Sequence, residues 1–278
     1  MQKYQAIVAY IGTQFSGFQS QPDGTAVQDH LERALRTILR VPKIRIRGAS
    51  RTDRGVHAEK QVITFSAVAG LEPSRLWVQL NGVLPPDIRI LSVSLAPADF
   101  SPLSASAKVY RYRVWVGRCY NPMVAPFVWQ VRGPLDVEVL RQETQAAVGR
   151  HNFTSFCSHD SHALTKDRTL LAVEVDGRGP LINIWIQGEG FLKQMIRILV
   201  GTWVEAAIGK RAAGEMAWLL GQKNRALAGI TAPAKGLSLV DIFYDGFLPP
   251  LSQTLHQADS GFSVAVGSPP DFVSNPVP

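Results

Sequence analysis

KVYRYRVWV, residues 108–116, is the longest β-favouring run in the chain. It reads as a strand with Tyr110 and Tyr112 on one face, because side chains alternate across a strand. It also marks a place where the chain begins again. Just before it, residues 98–106 gather serines and prolines around Pro97 and Pro102, a cluster that breaks regular structure. Upstream, residues 5–10 read as a strand, and Gly12, Gly17, Pro22 and Gly24 make residues 12–24 rich in turns. A helix is expected next. Thr25 and Gln28 form a capping box, Val27, Leu31, Ala34, Leu35, Ile38 and Leu39 recur with helical spacing, and Pro42 is the stop. KIRIR, residues 43–47, alternates basic and apolar residues and reads as a strand with Ile44 and Ile46 inward. Residues 61–65 and 88–95 read as further strands. Between them, residues 73–80 fit a helix with Pro73 in its first turn, ended by Asn81-Gly82.

Downstream of residue 116 the same ingredients recur. Asp136 caps an expected helix carrying Val139, Leu140, Ala147 and Val148, with Gly149 as its stop. Residues 170–175 and 181–187 read as strands joined by a turn at Gly177 and Gly179. The strongest helical pattern covers residues 191–208, a single apolar stripe from Phe191 to Ile208 stopped by Gly209. Arg197 lies off that stripe, on a face shared with Gly190, Lys193, Gln194 and Gly201, and small Gly201 leaves room for another segment to approach. A smaller helix is expected over 212–220. The pattern is α+β: two similar domains with mostly antiparallel sheets flanked by helices, residues 1–104 and 105–248, forming a basic cleft between them. Residues 249–278, rich in Pro and Ser with little periodicity, are expected to be a mostly unstructured tail.

The 278 residues are 46% hydrophobic and 18% charged, which excludes disordered and fibrous classes. The charge is unevenly placed. Residues 249–278 contain Asp259 and Asp271 but no Lys or Arg, so the first 248 residues carry 29 basic side chains against 20 acidic ones. A folded body this basic is expected to meet a polyanion, nucleic acid above all. Two cysteines, Cys119 and Cys157, make no disulfide framework and read as reduced thiols. The first ten residues lack the apolar core of a secretory signal, and no uncharged apolar run approaches a membrane span. A cytoplasmic location is expected, with no membrane partner.

The densest functional stretch is GASRTDRGVHA, residues 48–58, which packs Arg51, Thr52, Asp53, Arg54 and His57 between glycines. An acid among cations favours its charged form, and an ionised carboxylate serves as nucleophile or metal ligand. A charged turn with local ion pairs would look the same. Without further information Arg197 reads as a solvated helix charge and Tyr110 as a packed cross-strand tyrosine. His151, Cys157, His159, Asp160 and His162 are zinc-ligand types, but their spacing fits no standard finger, so no metal is expected.

These residues carry a resemblance. Residues 48–58 resemble the active-site signature of the tRNA pseudouridine synthase A family, G-x-G-R-T-D-x-G-V-H. Six more blocks follow the family's order: YIGTQFSGFQSQP at 10–22, LNGVLP at 80–85, Tyr110-Arg111-Tyr112, GRHNFTSFC at 149–157, GEGFLKQMIRILVGT at 188–202 and APAKGLSLVDIFY at 232–244. The similarity spans roughly residues 4–247.

The resemblance implies an isomerase without a cofactor that converts uridine to pseudouridine at positions 38, 39 and 40 of the tRNA anticodon stem-loop. It implies Asp53 as the catalytic carboxylate, by attack on the sugar carbon or by removal of a ribose proton. It implies Tyr110 as the residue that stacks on the base and helps remove the C5 proton. Arg197 would pair with Asp53, and Arg51, Arg54 and His57 would contact substrate. A homodimer is implied too, with the helix at 191–208 supplying the dimer surface and part of the cleft. The alternative is a catalytically inactive tRNA-binding protein of the same fold. Lys43, Arg45, Arg47, Arg51, Arg54, Lys60, Lys193 and Arg197 are candidates to track phosphates. The sequence departs from the pattern at Ile11, where an Asp is common, at Ser50, where Gly is usual, and at Arg54, Leu103 and Asn152. These departures bear on RNA contacts more than on the chemistry.

Overall fold

A computed structural model of the protein describes residues 1–119 and 121–258. In chain order its main elements are β1 (Gln2–Tyr10), α1 (Val27–Leu39), β2 (Arg47–Gly48), β3 (His57–Ala67), α2 (Pro73–Val83), β4 (Ile88–Leu95), β5 (Ala107–Val116), β6 (Trp129–Val131), α3 (Val137–Gln145), β7 (Gly149–Asn152), β8 (Asp167–Arg178), β9 (Leu181–Gly188), α4 (Met195–Ala207), α5 (Met216–Gln222), β10 (Leu237–Phe243) and α6 (Leu251–Ala258). The fold is α+β. Among the described residues, ten strands form one sheet in the order β4-β1-β3-β10-β5-β9-β8-β7, with β2 added to β3 and β6 to β5. Pairing is mostly antiparallel, as expected. The exceptions are β6 on β5 and β10 on β3, where Ser238 and Leu239 lie beside His57 and Ala58. That parallel seam joins the strands of the first half to those of the second. Among the described residues no helix is long and apolar enough to cross a membrane.

Several local expectations change. The capping box of α1 is formed by other residues: Ala26 N–H donates to Asp29 Oδ2 at 3.1 Å, while the Thr25 hydroxyl turns to Ser16 Oγ. Gln28 is occupied elsewhere, its amide oxygen accepting from Ser20 N–H and its amide nitrogen donating to Glu32. Residues 43–46 are irregular rather than a strand, yet Ile44 and Ile46 are buried as their alternation demands. Asn81 does not end α2. Its side chain pairs with both backbone groups of Ile90 and fastens the helix to β4. Asp136 caps α3 as expected, accepting from Glu138 and Val139 N–H. The helix stops at Gln145, ahead of Gly149, which opens β7.

α4 starts at Met195, not at 191, because Gln194 takes a left-handed conformation with φ of 61°. Gly190, Lys193 and Gln194 therefore lie outside the helix that carries Arg197. Eleven of its thirteen residues are buried, leaving only Arg197 and Glu205 partly open. It is a core helix and offers little of its own surface to a second chain. Within the stretch expected to lack structure, α6 lays Leu251 against Val109, Trp185 and Val240 on the sheet face opposite α4. Residues 259–278 lie outside the described residues.

Candidate active site

The loop between β2 and β3 presents Asp53, and buried hydrogen bonds hold it on both sides. Gln61, fully buried on β3, accepts from Ser50 N–H at 3.1 Å and donates to Ser50 O at 2.6 Å. Lys108 Nζ donates to Ala49 O at 2.7 Å, and burial pushes this ammonium down to about 8. Thr52 O accepts from Phe18 N–H, and the Thr52 hydroxyl lies 2.8 Å from Tyr10 OH. Val56 N–H closes a turn on Asp53 O. Residues 12–18 pack so tightly on this loop that a Cβ on Gly12 would fall 1.9 Å from Val56 O. The loop is thus fixed, while the Asp53 side chain keeps 23% exposure.

Arg197 reaches this carboxylate across 144 residues of sequence, Nη1 donating to Asp53 Oδ2 at 3.1 Å. It is 15% exposed, so it is not the solvated helix charge that spacing alone suggests. Its Nε donates to Ala232 O at 2.8 Å, and Ala232 N–H donates back to Arg197 O. The segment that supplies Ala232 approaches α4 at Gly201, where a Cβ would stand 1.8 Å from Ile230 O. The close approach expected of Gly201 is therefore what positions the guanidinium.

The two tyrosines of β5 divide the work. Tyr112 is fully buried, with its hydroxyl donating to Pro233 O at 2.7 Å and its ring filling the space above Gly236. Tyr110 has its hydroxyl 2.7 Å from Ser50 Oγ and its ring edge-on to Phe191. Burial pushes its phenol up to about 12. The nearby Asp53 charge adds to the rise and the Ser50 hydrogen bond opposes it. Asp53, Arg197 and Tyr110 thus come together on the helix-covered face of the sheet.

The remaining expected residues separate. Arg51 and Arg54, neighbours of Asp53 in the chain, are exposed, and so are Lys43, Arg45 and Arg47. Lys60 pairs with Asp241 at 2.7 Å, and Lys193 with Asp160. His57 is buried, and its ring is taken up by partners other than Asp53. Its Nδ1 accepts from Gly12 N–H at 3.1 Å, so its Nε2 carries the proton donated to Lys235 O, also at 3.1 Å. Burial lowers its pKa and holds this ring neutral. A cavity of about 440 Å³ lies on the opposite face of the sheet, lined by His57, Glu59, Arg111, Arg113 and Phe127 among others. It contains none of Asp53, Tyr110 and Arg197. The Asp53–Arg197 pair therefore lies away from this cavity. His151 engages Val148 O, and Asp160 engages Ser158 and Lys193. Among the described residues no three His, Cys, Asp or Glu side chains converge.

Gln61 and Lys108, which hold the loop, were not evident in the sequence. A glutamine in an apolar strand and a lysine opening another carry no signal of what they meet. Ser50 stands out in sequence only as a departure from the pattern.

Known proteins resemble this chain over most of its length. The profile described as tRNA pseudouridine synthase matches residues 6–101 and 144–245. A tRNA pseudouridine synthase A of Pelobacter propionicus is 38% identical over 88% of this chain and all of its own length. Proteins of the same name from Geobacillus kaustophilus and Halalkalibacterium halodurans are 39% and 40% identical, over 88% and 83% of this chain and 95% and 88% of theirs. A solved chain of a Cbf5-Nop10-Gar1 complex aligns over 94% of this chain and 57% of its own, at 12% identity and a TM-score of 0.35, too distant to argue from. The sequence matches define the class, an isomerase that acts on tRNA. The chain belongs to the tRNA pseudouridine synthase family.

Proposed function

We propose that this protein isomerises uridine to pseudouridine at positions 38, 39 and 40 of the tRNA anticodon stem-loop, in the cytoplasm and without a cofactor. The observation that carries the reading is the pairing of Asp53 with Arg197 at 3.1 Å beside a buried tyrosine, at a surface flanked by exposed arginines. The reaction needs the target nucleotide out of its stack. Arg51 and Arg54, with Lys43, Arg45 and Arg47, supply cations for the displaced backbone. His57, buried and occupied on both ring nitrogens, ties Gly12 to Lys235 rather than meeting RNA.

The bond from the ribose carbon to N1 breaks, the uracil turns, and C5 joins the same carbon. In balance, C5 gives up a proton and N1 gains one. Asp53 acts at the sugar, as nucleophile on that carbon or as base on the ribose. Either role uses an ionised carboxylate, and Arg197 holds that side chain in place at 3.1 Å. Tyr110 receives the base and assists removal of the C5 proton. We assign the active form as a homodimer.

The deciding experiment uses unmodified tRNA. Asp53→Asn is expected to bind it with nearly wild-type affinity and to form no pseudouridine by chemical mapping. Product at a normal rate would overturn the assignment of Asp53. A wild-type protein that binds tRNA and forms no product would establish the inactive alternative.

A further inference from the structure

Resting on the role of Tyr110 given above, we propose that Ser50 is a positioning residue whose hydroxyl anchors the Tyr110 phenol and sets the proton state that phenol can reach. Ser50 Oγ lies 2.7 Å from Tyr110 OH, and both side chains are buried. Neither partner is free to drift. The Ser50 backbone is gripped by the Gln61 amide through both its N–H and its carbonyl, and the preceding carbonyl is held by Lys108. Tyr110 sits mid-strand, paired with Leu239 on one side and Ile186 on the other, with Phe191 against its ring. The bond therefore joins the loop that carries Asp53 to the strand that carries the phenol. A glycine at position 50, the usual residue in the pattern this sequence resembles, would remove that partner from a buried phenol. Leaving a buried polar group without its partner is costly.

The chemical consequence follows from what each state of the phenol accepts. The neutral phenol first gives its proton to solvent, and the phenolate is stabilised by a donating Ser50 hydroxyl. Its oxygen then takes the C5 proton while the C–H electrons return to the uracil ring, and N1 takes its proton from solvent. Once protonated, the phenol donates to the same Ser50 oxygen. One serine serves both states by rotating its hydrogen. The other titratable or charged groups around this phenol are Asp53 from the loop, Arg197 from α4 through its pair with Asp53, Tyr10 from β1 and Lys108 on the same strand face. Asp53 and burial disfavour the phenolate, and Ser50 is the neighbour that opposes them through a direct hydrogen bond.

The test is single-turnover pseudouridine formation on a tRNA transcript across pH, for Ser50→Ala, Ser50→Gly, Ser50→Thr and Tyr110→Phe. Ser50→Ala and Ser50→Gly are expected to lower the rate roughly tenfold, the scale of one buried hydrogen bond. They should move the rising limb of the pH profile to higher pH while tRNA affinity is unchanged. Ser50→Thr, which restores a hydroxyl, should recover rate and profile. If Tyr110→Phe is inactive while Ser50→Ala keeps the wild-type rate and profile, the role of Tyr110 stands and the role of Ser50 falls. If Tyr110→Phe is fully active, the reading of Tyr110 falls and that of Ser50 with it. A change in tRNA affinity alone would also overturn the proposal.

Discussion

The two faces of the sheet carry two ion-pair groups built to different ends. On the helix-covered face, one carboxylate meets one guanidinium, Asp53 with Arg197, and both keep a window to solvent. On the opposite face, Glu59 of β3 meets two arginines of β5, Arg111 at 2.7 Å and Arg113 at 3.4 Å. Those arginines are 2% and 3% exposed, and Arg111 lies 4.7 Å above the ring of Trp185. The first pair joins a loop to a distant helix, at a surface that RNA can reach. The second lies within the sheet, between β3 and β5 across the seam made by β10. A charge kept near water by a rigid loop is available for chemistry, whereas charges buried between strands hold the strands in place. Position in the fold, not residue type, separates the two.

Substitutions can break this comparison. The largest effect is expected from Asp53→Asn, with pseudouridine formation lost by at least about a thousandfold and melting temperature nearly unchanged. Arg197→Ala comes next: the rate is expected to drop roughly a hundredfold or more, read by single-turnover kinetics, with a modest loss of stability. Gly201→Ala, with Ile230 O only 1.8 Å from the new Cβ, is expected to destabilise by ~2–3 kcal/mol. Urea unfolding would measure that loss, and the rate would fall as Ala232 retreats from Arg197. On the other face, Glu59→Gln is expected to reverse the pattern. Stability falls by ~1–2 kcal/mol, discounted because Glu59 is one-third exposed, while the rate on folded protein stays near wild type. A Glu59 variant that is stable but catalytically dead would erase the distinction between the faces.

The smallest effect is a pH dependence. His57 has its pKa lowered in the folded state by burial. Its contribution to stability is therefore full above the unfolded value of about 6.5 and is lost as pH falls below it. Thermal unfolding at a series of pH values should show this acid-side loss, reduced in His57→Gln. Persistence of the full loss in that variant would place its origin in other groups.

Much of this was legible in the residues. The span of β4, the Asp136 cap and the inward faces of Ile44 and Ile46 follow from alternation and capping chemistry. The close approach at Gly201 was readable because only a glycine permits it. Where reading failed, the cause was long-range or conformational. Nothing in residues 237–243 says that they pair in parallel with β3, some 180 positions earlier. Gln194 breaks a helix without being Gly or Pro, so the apolar stripe ran past the true start of α4. The short amphipathic turn of α6 was hidden by the Pro- and Ser-rich composition around it. For the site, Asp53, Tyr110 and Arg197 were visible through the resemblance. Their spacing did not show that Ser50, Gln61 and Lys108 fix them.

The central place of β10 has a consequence for biogenesis. Its residues leave the ribosome after the other nine described strands, yet they fill the slot between β3 and β5. Until they arrive, the two halves of the sheet each keep an open edge at that slot, and edges of that kind invite pairing with other chains. A nascent chain stalled or cleaved before residue 237 should therefore be prone to aggregation, and the sheet closes only once residues 237–243 have been made.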